Sequence, residues 1–330
     1  MASIKSSAMG RSALLALLIS LMLALFMFAG CSTEEASEPS GSETTEETVV
    51  ELNAADFDAL VAAGPVADDA TIASSEWATA VKQSGTLRVG GVQTSTLFSL
   101  LNEVDGKTRG FDAGLAQLLS NYIFGDPNAY ELTQVTSDTR ESVLQNDQVD
   151  AVFATYSITP SRCELISFAG PYYTSQQAIL VMADNTDING VADLAGKNVA
   201  VQSGSTGPEI VEEYAPDAVQ QAFATDEEAR AALEQGRVDA YVIDATMQLG
   251  AMTKNPGKYR LAGDQFGPVD PYGIGVPLNS DAVAFINDFL KKIEEDGTWA
   301  KLWQVSLGDR TGVDTPPPAP AVGDLSFLEK

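Results

Sequence analysis

Apolar side chains recur at two different spacings as the chain is followed from residue 85 to residue 312. Leu87-Arg88-Val89 alternates and stops at Gly90-Gly91, which predicts a strand entering a turn. Residues 110–122 then carry Phe111, Leu115, Leu118, Leu119 and Tyr122 at helical spacing. Residues 140–145 predict a further short helix that leads into a buried strand over 149–154. After a polar connection at 184–196, residues 198–201 predict a strand, and Gly204-Ser-Thr-Gly-Pro208 opens a helix through Tyr214. Residues 226–235 predict a helix, 238–243 a strand, and 281–302 a long amphipathic helix broken at Gly297. Such alternation argues for an α/β fold.

One segment occurs twice. The run LQNDQVDAVFA at 144–154 returns 89 positions later as LEQGRVDAYVI at 233–243. Each copy runs from a helix end through a tight turn into an apolar strand, and each exits on a polar residue, Thr155 or Asp244. Two copies of one unit suggest two similarly wound lobes. Ligands of open α/β sheets sit beyond the carboxyl ends of the strands, so Thr155 and Asp244 are expected to face one cleft. Coincidence is the alternative, because helix, turn, Val-Asp-Ala and strand make an inexpensive combination.

The chemistry near those exits is polar and charged. Ser157-Ile-Thr-Pro-Ser-Arg162 follows the first strand, and arginine offers two parallel donors that match a carboxylate. A surface pair with Glu164 or Asp138 is the other reading of Arg162. Ser205-Thr206 stands before a helix whose free N–H groups suit an anion, although plain capping by Thr206 is an alternative. A carboxylate at Asp244 can hold an ammonium group, or it can start the local helix that follows. Together these groups match the charges of an α-amino acid zwitterion. Charge-assisted hydrogen bonds contribute roughly 1.5–3 kcal/mol each. Micromolar binding needs about −8.2 kcal/mol, so five or six contacts suffice after ordering costs.

Composition removes other classes. The 330 residues hold 46 acids, 19 bases and no histidine, for a net charge of −27. Nucleic acid is therefore not expected as a partner, and imidazole bases, Ser-His-Asp triads and His-ligated metals are excluded. Cys31 and Cys163 are the two cysteines. Cys163, with Glu164 beside it, reads as a small apolar filler rather than a reactive thiol.

The ends of the chain have their own character. Lys5 and Arg11 precede an apolar run at 13–29, interrupted by Ser20 and followed by Gly30-Cys31. Residues 1–30 read as a bacterial lipoprotein signal, with Phe28 where leucine is usual and Cys31 as the lipid-bearing residue. A signal anchor or another cleavage point is the alternative. Residues 31–51 form an acidic tether with seven acids and no base, too polar to fold alone. Residues 52–84 are expected to wrap the first lobe as short helices, and the proline-rich stretch 313–330 to be an extended, loosely held tail.

Thr155-Tyr-Ser-Ile-Thr-Pro-Ser-Arg162 and Ile166-Ser-Phe-Ala-Gly-Pro-Tyr-Tyr173 resemble bacterial extracellular solute-binding proteins of family three. Residues 193–206, 236–244 and 271–276 extend the resemblance in order, over roughly residues 84–310. It implies a two-lobed fold of the type II periplasmic-binding kind, with two hinge strands and a ligand cleft between lobes. The first lobe would hold residues 85–178, the second 179–272, and the first again 273–312, with crossings near 177–180 and 273–276. It also implies delivery of substrate to the permease of an ABC importer, no cofactor, no catalytic residue, a monomer, and membrane contact through the N-terminal lipid only, on the outer face of the cell membrane.

Carried over residue by residue, Arg162 would clamp the ligand α-carboxylate, helped by Thr155 and Ser157 from one lobe and Ser205 and Thr206 from the other. Asp244 would hold the α-ammonium. Ser95 stands where many members have an aromatic, which suits a polar or acidic side chain. The glutamate-binding type is the nearest match, with aspartate and glutamine as the other candidates. Arg140 would then face the ligand, unless it is a surface residue at a helix start. An enzyme on the same scaffold, of the prephenate or cyclohexadienyl dehydratase or lytic transglycosylase kind, is the competing class, with Asp244 or Glu209 as its acid or base. A wall-facing adhesin or signalling partner is the third.

Overall fold

The computed structural model describes residues 49–329. The signal segment, Cys31 and nearly all of the tether lie outside the described residues. Three short helices come first: α1 (Ala54–Ala62), α2 (Asp69–Ala73) and α3 (Glu76–Ser84). Asn53, Asp68 and Ser75 cap their N-termini with side-chain oxygens. Phe57, Val61, Ile72, Trp77 and Val81 are buried in the main core, so the extension is part of the first lobe.

The chain continues through β1 (Leu87–Gly91) and a small antiparallel sheet of β2 (Thr94–Ser95), β3 (Ser99–Leu101) and β4 (Thr108–Arg109). Next come α4 (Phe111–Phe124), β5 (Tyr130–Gln134), α5 (Arg140–Gln145), β6 (Ala151–Phe153), α6 (Pro160–Cys163) and the long β7 (Ser167–Met182). The second lobe holds β8 (Asn198–Gln202), α7 (Gly207–Tyr214), β9 (Val219–Phe223), α8 (Asp226–Glu234), β10 (Ala240–Asp244), α9 (Ala245–Lys254) and β11 (Tyr259–Leu261). Strand β12 (Phe266–Val276) returns to the first lobe, which closes with α10 (Ala282–Glu295), α11 (Thr298–Trp303) and α12 (Asp309–Thr311). No helix among the described residues is long and apolar enough to cross a membrane.

The strands run β5-β1-β6-β12-β7-β10-β8-β9, with β11 also on β7. In the first lobe β5, β1 and β6 are parallel. In the second, β9, β8 and β10 are parallel as well. The repeated segment occupies equivalent places: β6 and β10 each lie between a parallel neighbour and a crossing strand. Its tight turn is made by Asp147 at φ 51 in one copy and Gly236 at φ 66 in the other, again 89 positions apart. The echo in the sequence is therefore an echo in the fold.

Two strands connect the lobes. Residues 167–175 of β7 pair with β12, whereas 177–182 pair with β10 and β11. On β12 the register breaks between Phe266 and Asp270 and again between Tyr272 and Ile274, the second at the start of the 273–276 expected. Gly273 and Gly275 lie wholly in the first lobe, where Ile158, Phe168 and Tyr156 leave no room for a side chain. Each lobe has an apolar cluster on both faces of its sheet.

The C-terminal stretch is not loosely held. Ala319 and Val322 pack against the main core, Leu325, Phe327 and Leu328 against the cluster of Ile158 and Phe168, and Gly323 N–H donates to Gly170 O at 2.8 Å. Proline fixes the extended path, but the apolar residues after it decide where that path docks. Deleting the chain from Leu325 onward should expose roughly 1–2 kcal/mol of partly buried surface and lower Tm by about 2–8 °C. Differential scanning calorimetry checks this, and an unchanged Tm would return the segment to a free tail.

Candidate functional site

The carboxyl ends of β1 and β6 face those of β8 and β10 across a cavity of about 90 Å³. Five of the seven residues singled out from the sequence line it: Arg140, Thr155, Ser157, Ser205 and Asp244. Arg162 and Thr206 stand immediately behind them, bonded to the same network.

On the first-lobe wall, the chain leaves β6 through Thr155, held in the left-handed region at φ 41. Its N–H donates to Asp112 Oδ2 at 2.7 Å, and Tyr172 OH donates to Oδ1 at 2.7 Å. Burial pushes the Asp112 carboxyl up to about 6, countered by those two donors. Pro160 and the Thr159 cap start α6 and turn Arg162 back toward the cleft. Arg162 Nη1 donates to Ser157 O at 2.8 Å and Nη2 crosses to Gly204 O of the second lobe at 2.8 Å. Its Nε lies 3.5 Å from Glu141 Oε1. A surface pair with Glu164 or Asp138 is not formed.

Arg140 is buried too, which excludes the surface reading. It stacks on Tyr156 at 4.0 Å and donates to Ala154 O at 3.2 Å and Gly204 O at 3.3 Å. Burial first, then the charge of Arg162, brings its guanidinium down to about 10, still a cation at neutral pH.

On the second-lobe wall, β8 ends in a turn that only glycine fits at 204. Its φ is 68, and a Cβ there would come within 2.7 Å of Ser137 C and 2.8 Å of Asp138 N. Ser205 Oγ donates to Gln202 O at 2.7 Å and accepts from Gly207 N at 3.1 Å. Thr206 does not cap α7, contrary to the simple reading. Its hydroxyl donates to Asp270 Oδ2 at 3.1 Å and accepts from Gln177 Nε2 at 3.1 Å.

Asp244 does not cap α9 either. Its carboxyl accepts from Gln177 Nε2 and, at 2.7 Å, from Tyr272 OH. Burial, followed by the charge of Asp270, pushes it up to about 8. Burial raises Asp270 as well. Glu209, nominated above for acid–base work, is exposed and faces a separate groove behind the hinge.

The sequence missed Asp270, Gln177, Tyr272, Tyr156 and Asp112. Asp112 and Tyr156 sit inside stretches already picked out, and Asp270 directly precedes Pro271-Tyr272. It also missed the far wall, where the start of α8 brings Thr225, Asp226 and Glu227 to the cavity. Ser95 is buried there with its hydroxyl 3.7 Å from Met247 Sδ of the second lobe. Cys163 is half-buried beside the Ile158 cluster, and burial raises its thiol above the ordinary value.

The arrangement presents two cations on one wall, two carboxyl groups at the hinge, and hydroxyls between them. Residues 87–308 match the bacterial extracellular solute-binding proteins, family 3. A glutamine-binding protein from Geobacillus stearothermophilus is 33% identical over 257 residues, covering 77% of this chain and 88% of that one. The glutamate-binding protein GluB of Corynebacterium efficiens is 34% identical over 245 residues, covering 70% and 81%. Among solved structures, an ancestral arginine-binding protein bound to glutamine superposes with a TM-score of 0.61 at 35% identity, covering 68% of this chain and 98% of that one. The chain belongs to the bacterial extracellular solute-binding proteins, family 3.

Proposed function

We propose that this solute-binding protein captures a free α-amino acid with a polar side chain and delivers it to the permease of an ABC importer. The observation that carries the reading is the opposition of Arg140, with Arg162 behind it, to Asp244 across one cavity. Arg162 suits the ligand α-carboxylate, with Thr155, Ser157, Ser205 and Thr206 as hydroxyl or backbone partners, and Asp244 suits the α-ammonium. The matched relatives are binding proteins by name, and the protein is a receptor, not an enzyme.

For the side chain, glutamine ranks ahead of the glutamate expected from the sequence, and aspartate behind both. Asp226, paired with Arg230 at 2.7 Å, and Glu227, whose carboxylate is unpaired among the described residues, line the far wall, where an amide can donate and Glu227 disfavours a second carboxylate. The receptor would act as a monomer outside the cytoplasmic membrane, anchored through a lipid on Cys31 and held off the bilayer by its acidic tether.

A thermal-shift panel of the twenty amino acids tests this. At a hundredfold excess over Kd, ligand adds about 2.7 kcal/mol, so glutamine should raise Tm by roughly 5–10 °C. Glutamate leading the ranking would restore the sequence-based choice. No shift with any amino acid would favour the adhesin or signalling class, and a chemically altered ligand after incubation would favour the enzyme.

A further inference from the structure

The two lobes meet at the mouth of the cleft. Gly204 O accepts from Arg140 and Arg162 of the opposite lobe, and Ser203 Oγ donates to Asp138 across the same rim. A ligand reaches the cavity only if the lobes part, and the strand pairing marks where they turn. Phe266 pairs with Gln177 and Asp270 with Ser175, while Gly267, Pro268 and Val269 fall in the register break between them. β7 changes partners over the same stretch, so both crossings are broken at one level.

Behind this pivot lies a groove of about 520 Å³. Phe327 and Leu328 of the C-terminal stretch line it from the first lobe, beside Ile158. Ile210 of α7 lines it from the second lobe, and Val269, 61% exposed, belongs to its floor. Phe327 also borders a smaller cavity with Val269 and Pro320, so residues 320–328 run along the back of the pivot. The Gly323 N–H bond to Gly170 O and the packing of Leu325 fix this segment to the first lobe. It lies beyond residues 87–308, the part of the chain that matches the family.

Two bodies that turn about one pivot cannot part in front without approaching behind. Each lobe has its own apolar clusters, so α7 moves toward the C-terminal segment as part of a rigid unit. Ile210 then meets Phe327 and Leu328, and apolar surface that the groove leaves to water is buried. Glu209 and Glu213 on the same wall are exposed and keep their water.

We propose that residues 320–328 form a strap behind the hinge that the second lobe grips when the receptor opens, so that the strap favours the open state and sets ligand affinity from a face the ligand never touches. This rests on the receptor reading above, in which ligand enters between parting lobes, and names an element that regulates it. The closed form holds the ligand with both walls. If that form is a fraction f of the free protein, the apparent Kd is the intrinsic Kd divided by f. A contact made only on opening lowers f. The strap therefore steadies the fold while weakening capture.

Calorimetric titration of L-glutamine into the full chain, compared with the variant carrying Phe327→Ala and Leu328→Ala, reads the effect. The variant should bind roughly three- to tenfold more tightly while its ligand-free Tm falls. A tail with a structural role alone lowers Tm without tightening the grip. Ile210→Ala, on the opposite wall, should tighten binding in the same way, and it serves if the first variant folds poorly. Combining the two walls should add little beyond either alone, because each removes the same contact. Unchanged or weaker binding in both variants, or gains that add in full, would overturn the strap.

Cross-linking gives a second reading. In a protein carrying Ile210→Cys and Phe327→Cys, copper phenanthroline should join the two thiols when ligand is absent, and saturating L-glutamine should suppress the joining. Mass spectrometry identifies the joined peptides. No cross-link, or equal rates with and without bound glutamine, would also overturn the strap. If no amino acid gives heat, the amino-acid reading falls on its own, and cross-linking of the ligand-free protein still decides whether the back of the hinge closes.

Discussion

Asp244→Ala is expected to weaken amino-acid binding by ~2–5 kcal/mol, as truncating one partner of a buried charge pair does. The corresponding rise in Kd is roughly thirty- to several-thousand-fold. The side chain ends β10 without capping α9, so the backbone around it does not depend on the carboxyl. Tyr272 OH keeps Thr246 as a partner at 2.8 Å when the acid is removed. A carboxyl whose folded value is raised works against folding as pH climbs above its unfolded value near 3.8. Removing it should therefore leave the ligand-free Tm at pH 7 unchanged or higher. Calorimetric titration and a melting curve on one preparation separate the two effects. A Kd within tenfold of the parent would show that the ammonium is held elsewhere.

Arg162→Lys should cost nearly as much as Arg162→Ala. The guanidinium fork spans the two lobes, with one nitrogen on Ser157 O, one on Gly204 O and Nε toward Glu141. Lysine brings the same charge on a single nitrogen and cannot occupy three directions at once. Losing a two-pronged grip on the ligand carboxylate, at roughly 1.5–3 kcal/mol per charge-assisted bond, predicts a Kd raised about a hundredfold or more. Titration of both variants with glutamine checks this. A lysine protein that binds within tenfold of the parent would reduce the clamp to a point charge.

The strands that could be read from the sequence are the buried ones. β6 is apolar throughout and β10 up to Asp244, and the Val-Asp-Ala sequence leading into both marks them as copies. β5 and β9 are partly exposed edge strands, YELTQ and VQQAF, with no apolar run to mark them. The pattern predicts no strand over β7, because its identity as one 16-residue strand comes from changing partners midway, which no periodicity records. The same reasoning covers the site. Arg162, Ser205 and Asp244 follow strand ends or helix starts, so local spacing finds them. Asp270 and Gln177 matter because of what crosses between lobes, and that becomes legible only in three dimensions. Thr206 shows the reverse error: it has the right residue type for a cap, but a buried acid nearby is the better partner. In the C-terminal stretch, the prolines predict only an extended path, and the scattered Leu325, Phe327 and Leu328 that dock it form no periodic run.

The peptide oxygen of Gly204 meets both guanidinium groups of the opposite lobe. An incoming carboxylate must therefore displace a resident rival rather than bulk water, and its net grip is the difference between the two acceptors. That rival is difficult to engineer away, since any side chain at 204 would strike the backbone of Ser137 and Asp138. Tightness of capture and ease of hand-over are thus set together, by one tight corner of main chain.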